Sequence, residues 1–285
     1  LSRDTAKGLP TIQAKELQDV VVDCQVCQIT KRNRMAYKNI VGSRPDDPLE
    51  CVHMDCQFFE VSGVFDGING HTGALGLVDD VSSYKWTFVF KSTKQVHSYL
   101  KTWFNMVERQ YHPLKVKVMK TDGGTEFFNT MVREFCEEKG IRHLSSSVEN
   151  KEENGSAERS HQTKASITRP ILKTVGFHES LWPEALMFSN DTDNLTPKRR
   201  LGWKSPYEIL HQKRPDVGDC RMFGTVVYQY IPHQKRPNKT LHDRATKCRL
   251  LGYSQQYKGC KLWNLDTNKV VLLDLTSRML LETLR

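Results

Sequence analysis

"LKVKVMKTDGG", residues 114 to 124, begins with apolar side chains at every second position and stops on two glycines. Alternation of that kind marks a strand with one buried face, and paired glycines mark a turn. The stretch before it has a different period. Val96, Leu100, Trp103, Phe104 and Val107 recur at three- and four-residue spacings, which predicts a helix over 94 to 110. Further upstream stand "CVHMDCQFF" (51 to 59), "GALGLVDD" (73 to 80) and "YKWTFVFK" (84 to 91), rich in β-branched and aromatic residues and separated by turn signals. They predict an antiparallel meander, to which 114 to 124 adds a fourth strand after the helix.

Downstream, "TEFFNTMVREFCEEKG" (125 to 140) predicts a helix with Phe128, Val132 and Phe135 on one face and Gly140 just past its end. "IRHLSSS" reads as a short strand, and an acidic loop over 148 to 155 leads into "ENGSAERSHQTK" (153 to 164), where a turn hands over to another helix. Ile167, Ile171 and Leu172 form its apolar stripe, and Pro170 is expected to kink or end it. The order so far is βββαβαβα. "ESLWPEALMFS" starts a further helix, and beyond residue 220 "FGTVVYQYI", "KCRLLGYS" and "GCKLWNLDTNKVVLLDL" return to strands, with a hairpin at "LDTNK". The polar, basic, proline-containing run "TKRNRMAYKNIVGSRPDDP" (30 to 48) sets a domain boundary near residue 48.

A chain of 285 residues, 38% of them hydrophobic, suits two packed domains or one domain with extensions. The longest apolar runs, "DVVVD" and "KVVLLDL", fall far short of the roughly 18 residues a membrane helix requires, and no secretory signal opens the chain. The expectation is a soluble intracellular protein, and the start at Leu1 suggests an excerpt or a processed product. Charge is segregated. Basic residues outnumber acidic ones by eight to four in 1 to 45 and by 20 to 11 in 166 to 285, whereas 46 to 165 carries 14 basic against 18 acidic. An acidic centre between basic ends fits a carboxylate-rich site flanked by surfaces that hold a polyanion, although solvated basic surface gives the same count. Eight scattered cysteines do not resemble the disulfide framework of a small secreted domain. Cys24 and Cys27 have the Cys-x-x-Cys spacing that turns two thiolates toward one tetrahedral zinc, yet a buried thiol pair has the same spacing.

Three carboxylates carry the chemistry. Asp55 lies in the first strand, Asp122 at the end of the fourth, and Glu158 opens the later helix, so a layout with the first and fourth strands adjacent brings them to one edge of the sheet. Three converging oxygen ligands form a site for magnesium or manganese. Two such ions about 4 Å apart serve both sides of a phosphodiester in a displacement reaction.

Thirty-five residues separate Asp122 from Glu158. With that spacing the chain resembles the integrases of copia-type LTR retrotransposons and the D,D-35-E core they share with retroviral integrases. The resemblance runs over nearly the whole chain, through "VHMD", "GLVDDVSSYKWTFVF", "KTDGGTEF", "NGSAER", "LWPEA", "SPYEIL", "KRP", "MFG", "CRLLGYS" and "KGCKLWNLDTNKV". It departs from the family's usual pattern at "DCQFFE", where a Gly-Pro pair commonly follows the aspartate, at "VENKEEN" before the glutamate, and at Gln162, where an arginine is common.

The fold class implied is α/β, an RNase H-like mixed five-stranded sheet with flanking helices plus a small C-terminal β-rich domain. Residues 1 to 48 would then be the remnant of a His-His-Cys-Cys zinc module with a basic linker, 49 to 190 the catalytic core, 191 to 219 a linker and 220 to 285 the β-rich domain. Asp55, Asp122 and Glu158 would hold two Mg2+ or Mn2+ ions as catalytic ligands. Cys24 and Cys27 would be zinc ligands completed by histidines upstream, and Arg159, Lys164 and Arg169 would contact DNA. The implied reaction inserts retrotransposon cDNA ends into host DNA by strand transfer. Implied partners are the LTR cDNA ends, target DNA and further copies of the chain, with release from a Gag-Pol polyprotein, no membrane, and a nuclear location after cytoplasmic virus-like particles. A catalytically inactive DNA-binding or scaffold descendant and an RNase H-like nuclease are the alternatives.

Some features admit other readings. "LVDDV" (77 to 81) has the paired aspartates of a polymerase, but no other polymerase motif accompanies it. Cys51, His53 and Asp55 alternate on one strand face and suggest a metal cluster or a Cys-His nucleophile, although His53 falls where the family resembled often has histidine, which favours support for the aspartate over catalysis. "TPKRR" (196 to 200) is equally a DNA or nuclear-import patch and a solvated loop. Glu158 alone would complement a helix N-terminus.

Overall fold

The computed structural model describes residues 45–59, 67–122, 124, 126–145, 168–236, 240–253, 259–274 and 280–281. They lie in one compact unit, Arg44–Arg285. Strands β1 (Cys51–Phe58), β2 (Gly73–Asp79) and β3 (Lys85–Phe90) form the expected antiparallel meander. Helix α1 (Val96–Gln110) crosses over to β4 (Val118–Thr121), and α2 (Thr130–Lys139) crosses to β5 (Arg142–Ser145). The sheet order is β3-β2-β1-β4-β5, with β1 parallel to β4 and β4 parallel to β5. This is the mixed five-stranded, RNase H-like sheet expected.

Several boundaries differ from expectation for local reasons. Strand β4 is shorter than 114 to 124, because pairing begins only where Lys117 and Val118 both donate to the Glu50 carbonyl. Helix α1 is preceded by a 3-10 turn over Thr93–Gln95, where Gln95 Oε1 accepts from the backbone N–H of Lys91 (2.8 Å) and Ser92 (3.4 Å). Helix α2 starts at Thr130 rather than near 125, because Asn129 caps it, Oδ1 accepting from the Val132 N–H at 3.0 Å. It ends at Gly140, whose φ of +66° suits a residue without a Cβ. The shifted start changes which ring is inside: Phe127 is buried and Phe128 is half-exposed against His143. The turn and helix start expected over 153 to 164 lie outside the described residues. Helical residues 168–175, here α3, include Pro170, with Leu172 buried in the core beneath.

One face of the first sheet packs on α1 and α2 through Val52, Met54, Leu75, Leu77, Trp103, Phe104 and Phe135. Aliphatic side chains and five buried aromatic rings make up that core, and burying each large apolar side chain contributes about 1.5–3 kcal/mol. Against the other face lies α4 (Trp182–Leu195). Asn190 Nδ2 and Asn194 Nδ2 both donate to the Lys85 carbonyl, the Lys85 N–H donates to Asn194 Oδ1 at 2.9 Å, and Thr87 donates to Asn190. Lys85 Nζ itself lies 2.7 Å from Asp193, both nearly buried, and Lys198 joins them at 2.9 Å.

After α5 (Pro206–His211) the chain enters a second sheet, β6 (Val226–Tyr230), β7 (Ala245–Tyr253), β8 (Gly259–Asn264), β9 (Lys269–Asp274) and β10 (Leu280–Leu281), ordered β10-β6-β7-β8-β9 and antiparallel throughout. The turn after β8 is the hairpin expected at "LDTNK". This sheet has a small core of its own around Val227, Cys248, Leu250 and Leu262. It also shares a cluster with α4, in which Ala74 of the first sheet, Leu186 of α4 and Leu251 of β7 are all buried. Helix α4 is thus the layer between the two sheets. Among the described residues no helix is long and apolar enough to cross a membrane.

Candidate active site

The parallel register of β1 and β4 pairs His53 with Lys120 and Met54 with Thr121. The next residue on each chain is Asp55 and Asp122, so two carboxylates occupy neighbouring positions, both part-exposed, at the C-terminal end of β4. On its other side Asp55 faces Gly76 of β2. Asp122 is oriented by its own turn: Oδ1 accepts the Gly124 N–H at 3.1 Å. Behind this pair Thr121 is fully buried, its hydroxyl 2.8 Å from His143 Nε2. Burial holds that imidazole below its usual pKa.

A third carboxylate enters the site from the same turn. Glu126 tucks against Gly124 so closely that a Cβ there would meet its Cδ at 2.7 Å. The Cys56 side chain hydrogen-bonds with Glu126 and feels Asp55 and Asp122 as well. Burial pushes this thiol far above its ordinary pKa, and the three carboxylates push it the same way. Cys56 therefore remains a neutral thiol in a ring of negative charge. Sequence reading missed Glu126, although its place four residues after Asp122 in a glycine turn was the available signal.

The aspartate pair of "LVDDV" divides into two roles. Asp79 is wholly buried and accepts from the Leu49 N–H (2.7 Å), the Ser82 N–H (2.7 Å) and the Ser82 hydroxyl (2.5 Å), tying the β2–β3 turn to the segment before β1. Burial raises its pKa despite those bonds. Asp80 instead lies 3.5 Å from His53 Nε2, whose hydrogen bond holds the carboxyl below its usual range. The partner of Cys51 and His53 is accordingly Asp80, not the Asp55 suggested by strand alternation.

Of the residues singled out in the sequence, the structure brings together Asp55 and Asp122. Arg169 is exposed on α3. Glu158, Arg159, Lys164, Cys24 and Cys27 lie outside the described residues. Several tail cations have structural partners. Arg249 donates to the Val175 carbonyl at 2.6 Å and lies over Phe177, Lys261 pairs with Glu184 at 3.1 Å, and the Arg236 guanidinium donates to the Ile231 carbonyl. Arg244 and Lys247 remain exposed.

Comparison with known proteins agrees with this architecture. Residues 225–273 match the family model described as the retroviral polymerase SH3-like domain. The chain is 26% identical over 271 residues to the retrovirus-related Pol polyprotein from transposon TNT 1-94 of Nicotiana tabacum, covering 93% of this chain and 20% of that protein. It is 25% identical over 236 residues to the corresponding polyprotein from transposon RE2 of Arabidopsis thaliana, covering 82% of this chain and 15% of that one. The chain thus spans a fifth or less of the length of these relatives. A chain of the simian T-cell lymphotropic virus intasome shares the fold, with a TM-score of 0.50 and 16% identity over 81% of this chain and 78% of that one. The homologues of this chain are retrovirus-related Pol polyproteins of copia-like plant transposons.

Proposed function

We propose that this chain is the integrase segment of a retrotransposon polyprotein and that it joins cDNA ends to target DNA. The parallel β1–β4 register carries the reading, because it sets Asp55 and Asp122 at adjacent positions on one sheet face. Glu158, 35 residues beyond Asp122, supplies the third carboxylate in this reading. The donor set fits hard divalent ions: among the described residues Asp55, Asp122 and Glu126 offer carboxylate oxygens here, beside a neutral Cys56 thiol. Asp55, Asp122 and Glu158 would hold Mg2+ or Mn2+. When bound, such ions lower the pKa of an attacking hydroxyl and stabilise charge on a leaving oxygen.

In the proposed reaction the 3′-hydroxyl of the cDNA end forms a new bond to a target phosphorus. The bond from that phosphorus to the target's 3′-oxygen breaks, and the released oxygen takes up a proton. The chain's own part is to orient: Gly124 holds Asp122, and the buried Thr121–His143 pair fixes the strand end that carries it. Arg159, Lys164 and Arg169 would contact the DNA, Cys24 and Cys27 would hold Zn2+ with histidines supplied upstream, and the active form would be an oligomer working in the nucleus after release from the polyprotein.

A strand-transfer assay with the complete integrase and matching terminal DNA tests this. Asp55→Asn, Asp122→Asn and Glu158→Gln are each expected to reduce joining by roughly a hundredfold or more, since loss of an outer-shell partner alone costs about 10–100-fold at metal sites. Substantial activity in any one of them would remove that residue from the ligand set.

A further inference from the structure

The sheet face that carries Asp55 and Asp122 continues back along β1 to a second group of metal-ligating side chains. Cys51 and His53 alternate with Asp55 on that strand, and Asp80, whose N–H bonds the Cys51 carbonyl, stands across from them on the β2 side. The Cys51 sulfur, a His53 ring nitrogen and an Asp80 carboxylate oxygen all lie within 4.8 Å of one another, and His53 Nε2 is 3.5 Å from Asp80 Oδ1. Cys51 and His53 are 3% and 4% exposed, while Asp80 opens to solvent with 28% of its side chain. The group is therefore buried at Cys51 and His53 and reaches solvent at Asp80.

We propose that Cys51, His53 and Asp80 form a binding site for one zinc-class divalent ion, separate from the carboxylate site. The donor chemistry distinguishes the two. Thiolate, imidazole and one carboxylate suit a borderline-soft ion such as Zn2+, whereas the all-oxygen set around Asp122 suits Mg2+ or Mn2+. Metal–ligand bonds of roughly 2.0–2.3 Å place tetrahedral ligand atoms about 3.5 Å apart, so from separations of at most 4.8 Å a closure of up to about 1.3 Å completes three corners. Water would supply the fourth ligand from the side on which Asp80 is exposed. Two residues along a strand cover about 6.6 Å, so the ion would sit one strand repeat from the carboxylate pair without sharing a ligand with it.

The surroundings supply a counterweight and a reason for the site to bind only under competition. Lys120, paired in register with His53, and Arg200 both act on Asp80 electrostatically, and Lys120 acts on Cys51 too. Asp79 and Glu50 oppose them. Burial pushes the Cys51 thiol up to about 11, which leaves it protonated and unreactive as a nucleophile until an ion displaces the proton. The same residues thus make a poor Cys-His catalytic pair and a serviceable metal site.

Cobalt is the probe that reads the sulfur directly, because Co2+ bound by thiolate gives a ligand-to-metal absorption that carboxylate-bound Co2+ lacks. The test uses the full chain with Cys24→Ser, Cys27→Ser and Cys56→Ser, which removes the other thiols placed near metal-binding groups. The expected result is one equivalent of Co2+ with the thiolate band, displaced by Zn2+. Adding Cys51→Ser should abolish the band, and His53→Gln should weaken binding at least tenfold. Should Cys51→Ser fail to fold, Asp80→Asn replaces it, with the band retained and affinity down about tenfold. Absence of the band in the background protein, its survival in Cys51→Ser, or unchanged affinity in both other variants would overturn the proposal and leave a His53–Asp80 ion pair beside an inert thiol.

Discussion

On β1 and β4 two like charges, Asp55 and Asp122, stand at adjacent register positions, and Glu126 adds a third from the following turn. On β7 and β8 two cations dock on partners from other elements: Arg249 on a helix carbonyl and a phenyl ring, Lys261 on Glu184 of α4. Like charges held together are destabilising unless something else binds them, whereas a cation docked on a carbonyl or a carboxylate stabilises what it joins. The first sheet concentrates unfavourable charge at one edge for chemistry. The second uses favourable charge to attach itself to the layer that both sheets share.

That contrast predicts opposite consequences for charge removal, and the largest effect belongs to the first sheet. Asp122→Asn is expected to abolish joining while the metal-free protein melts at an unchanged or higher temperature, because a repulsive neighbour has been neutralised. Arg249→Met should do the reverse, costing about 1–3 kcal/mol of stability through the orphaned Val175 carbonyl while the isolated carboxylate site keeps its response to magnesium. Thermal melts of both variants with and without metal check the pair. An Asp122→Asn protein several degrees less stable than the parent would break the contrast.

Next in size is the anchorage of α4, which has one ion pair toward each sheet. Lys85 and Asp193 are 7% and 13% exposed in their side chains, whereas Lys261 is 27% exposed against Glu184 at 8%. Removing one member of a buried pair leaves an uncompensated charge, so Asp193→Ala is expected to cost about 3–5 kcal/mol. Glu184→Ala should cost only about 1–2 kcal/mol, since the lysine it leaves behind is better solvated. Denaturant midpoints at constant m-value measure both, and equal costs would mean that the two sheets hold α4 alike.

The division between legible and illegible features follows from range. Strand alternation and helical spacing are local, so the meander, α1 and the order of elements could be read directly, and the adjacency of the first and fourth strands followed from the layout. The register itself is long-range, yet the turn chemistry of "TDGG" still placed Asp122 at a strand end. What sequence could not show depended on a neighbour brought from elsewhere. Asp80 meets His53 across the sheet, Glu126 meets Cys56 through a tight turn, and Asn129 moves the start of α2 by capping it. A count of basic residues in the tail could not tell which are engaged within the fold, as Arg236, Arg249 and Lys261 are.

A smaller, pH-dependent effect tests the same helix. Asp191 lies on α4, and burial raises its pKa to about 6, offset in part by Asn190 and Lys261. A carboxylate with a raised folded-state pKa contributes stability below its unfolded value of 3.8, and that contribution is lost as pH rises through about 6. At neutral pH the ionised form is therefore a liability of about 1–3 kcal/mol. Asp191→Asn should raise stability at pH 7.5 and leave it nearly unchanged at pH 4. A variant that is less stable at pH 7.5 would show that the charge is compensated better than its burial implies.

The smallest predicted effect concerns whether the second sheet contacts DNA in the proposed function, and it sharpens the comparison most. Each phosphate neutralised by a lysine or arginine contributes about 0.9 to the slope of log affinity against log salt. If charge count alone mattered, Arg249 and Lys261 would contribute as much as Arg244 and Lys247. In the structure the first two are engaged with α3 and α4, and the second two are exposed at the start of β7. Arg244→Ala combined with Lys247→Ala is therefore expected to lower the slope for arbitrary duplex DNA by about two, with melting unchanged. Lys261→Met should leave the slope as it was and lower only the stability. A slope reduced equally by both changes would mean that the ion pair to Glu184 opens when DNA binds, and a slope moved by neither would place the DNA contacts outside the second sheet altogether.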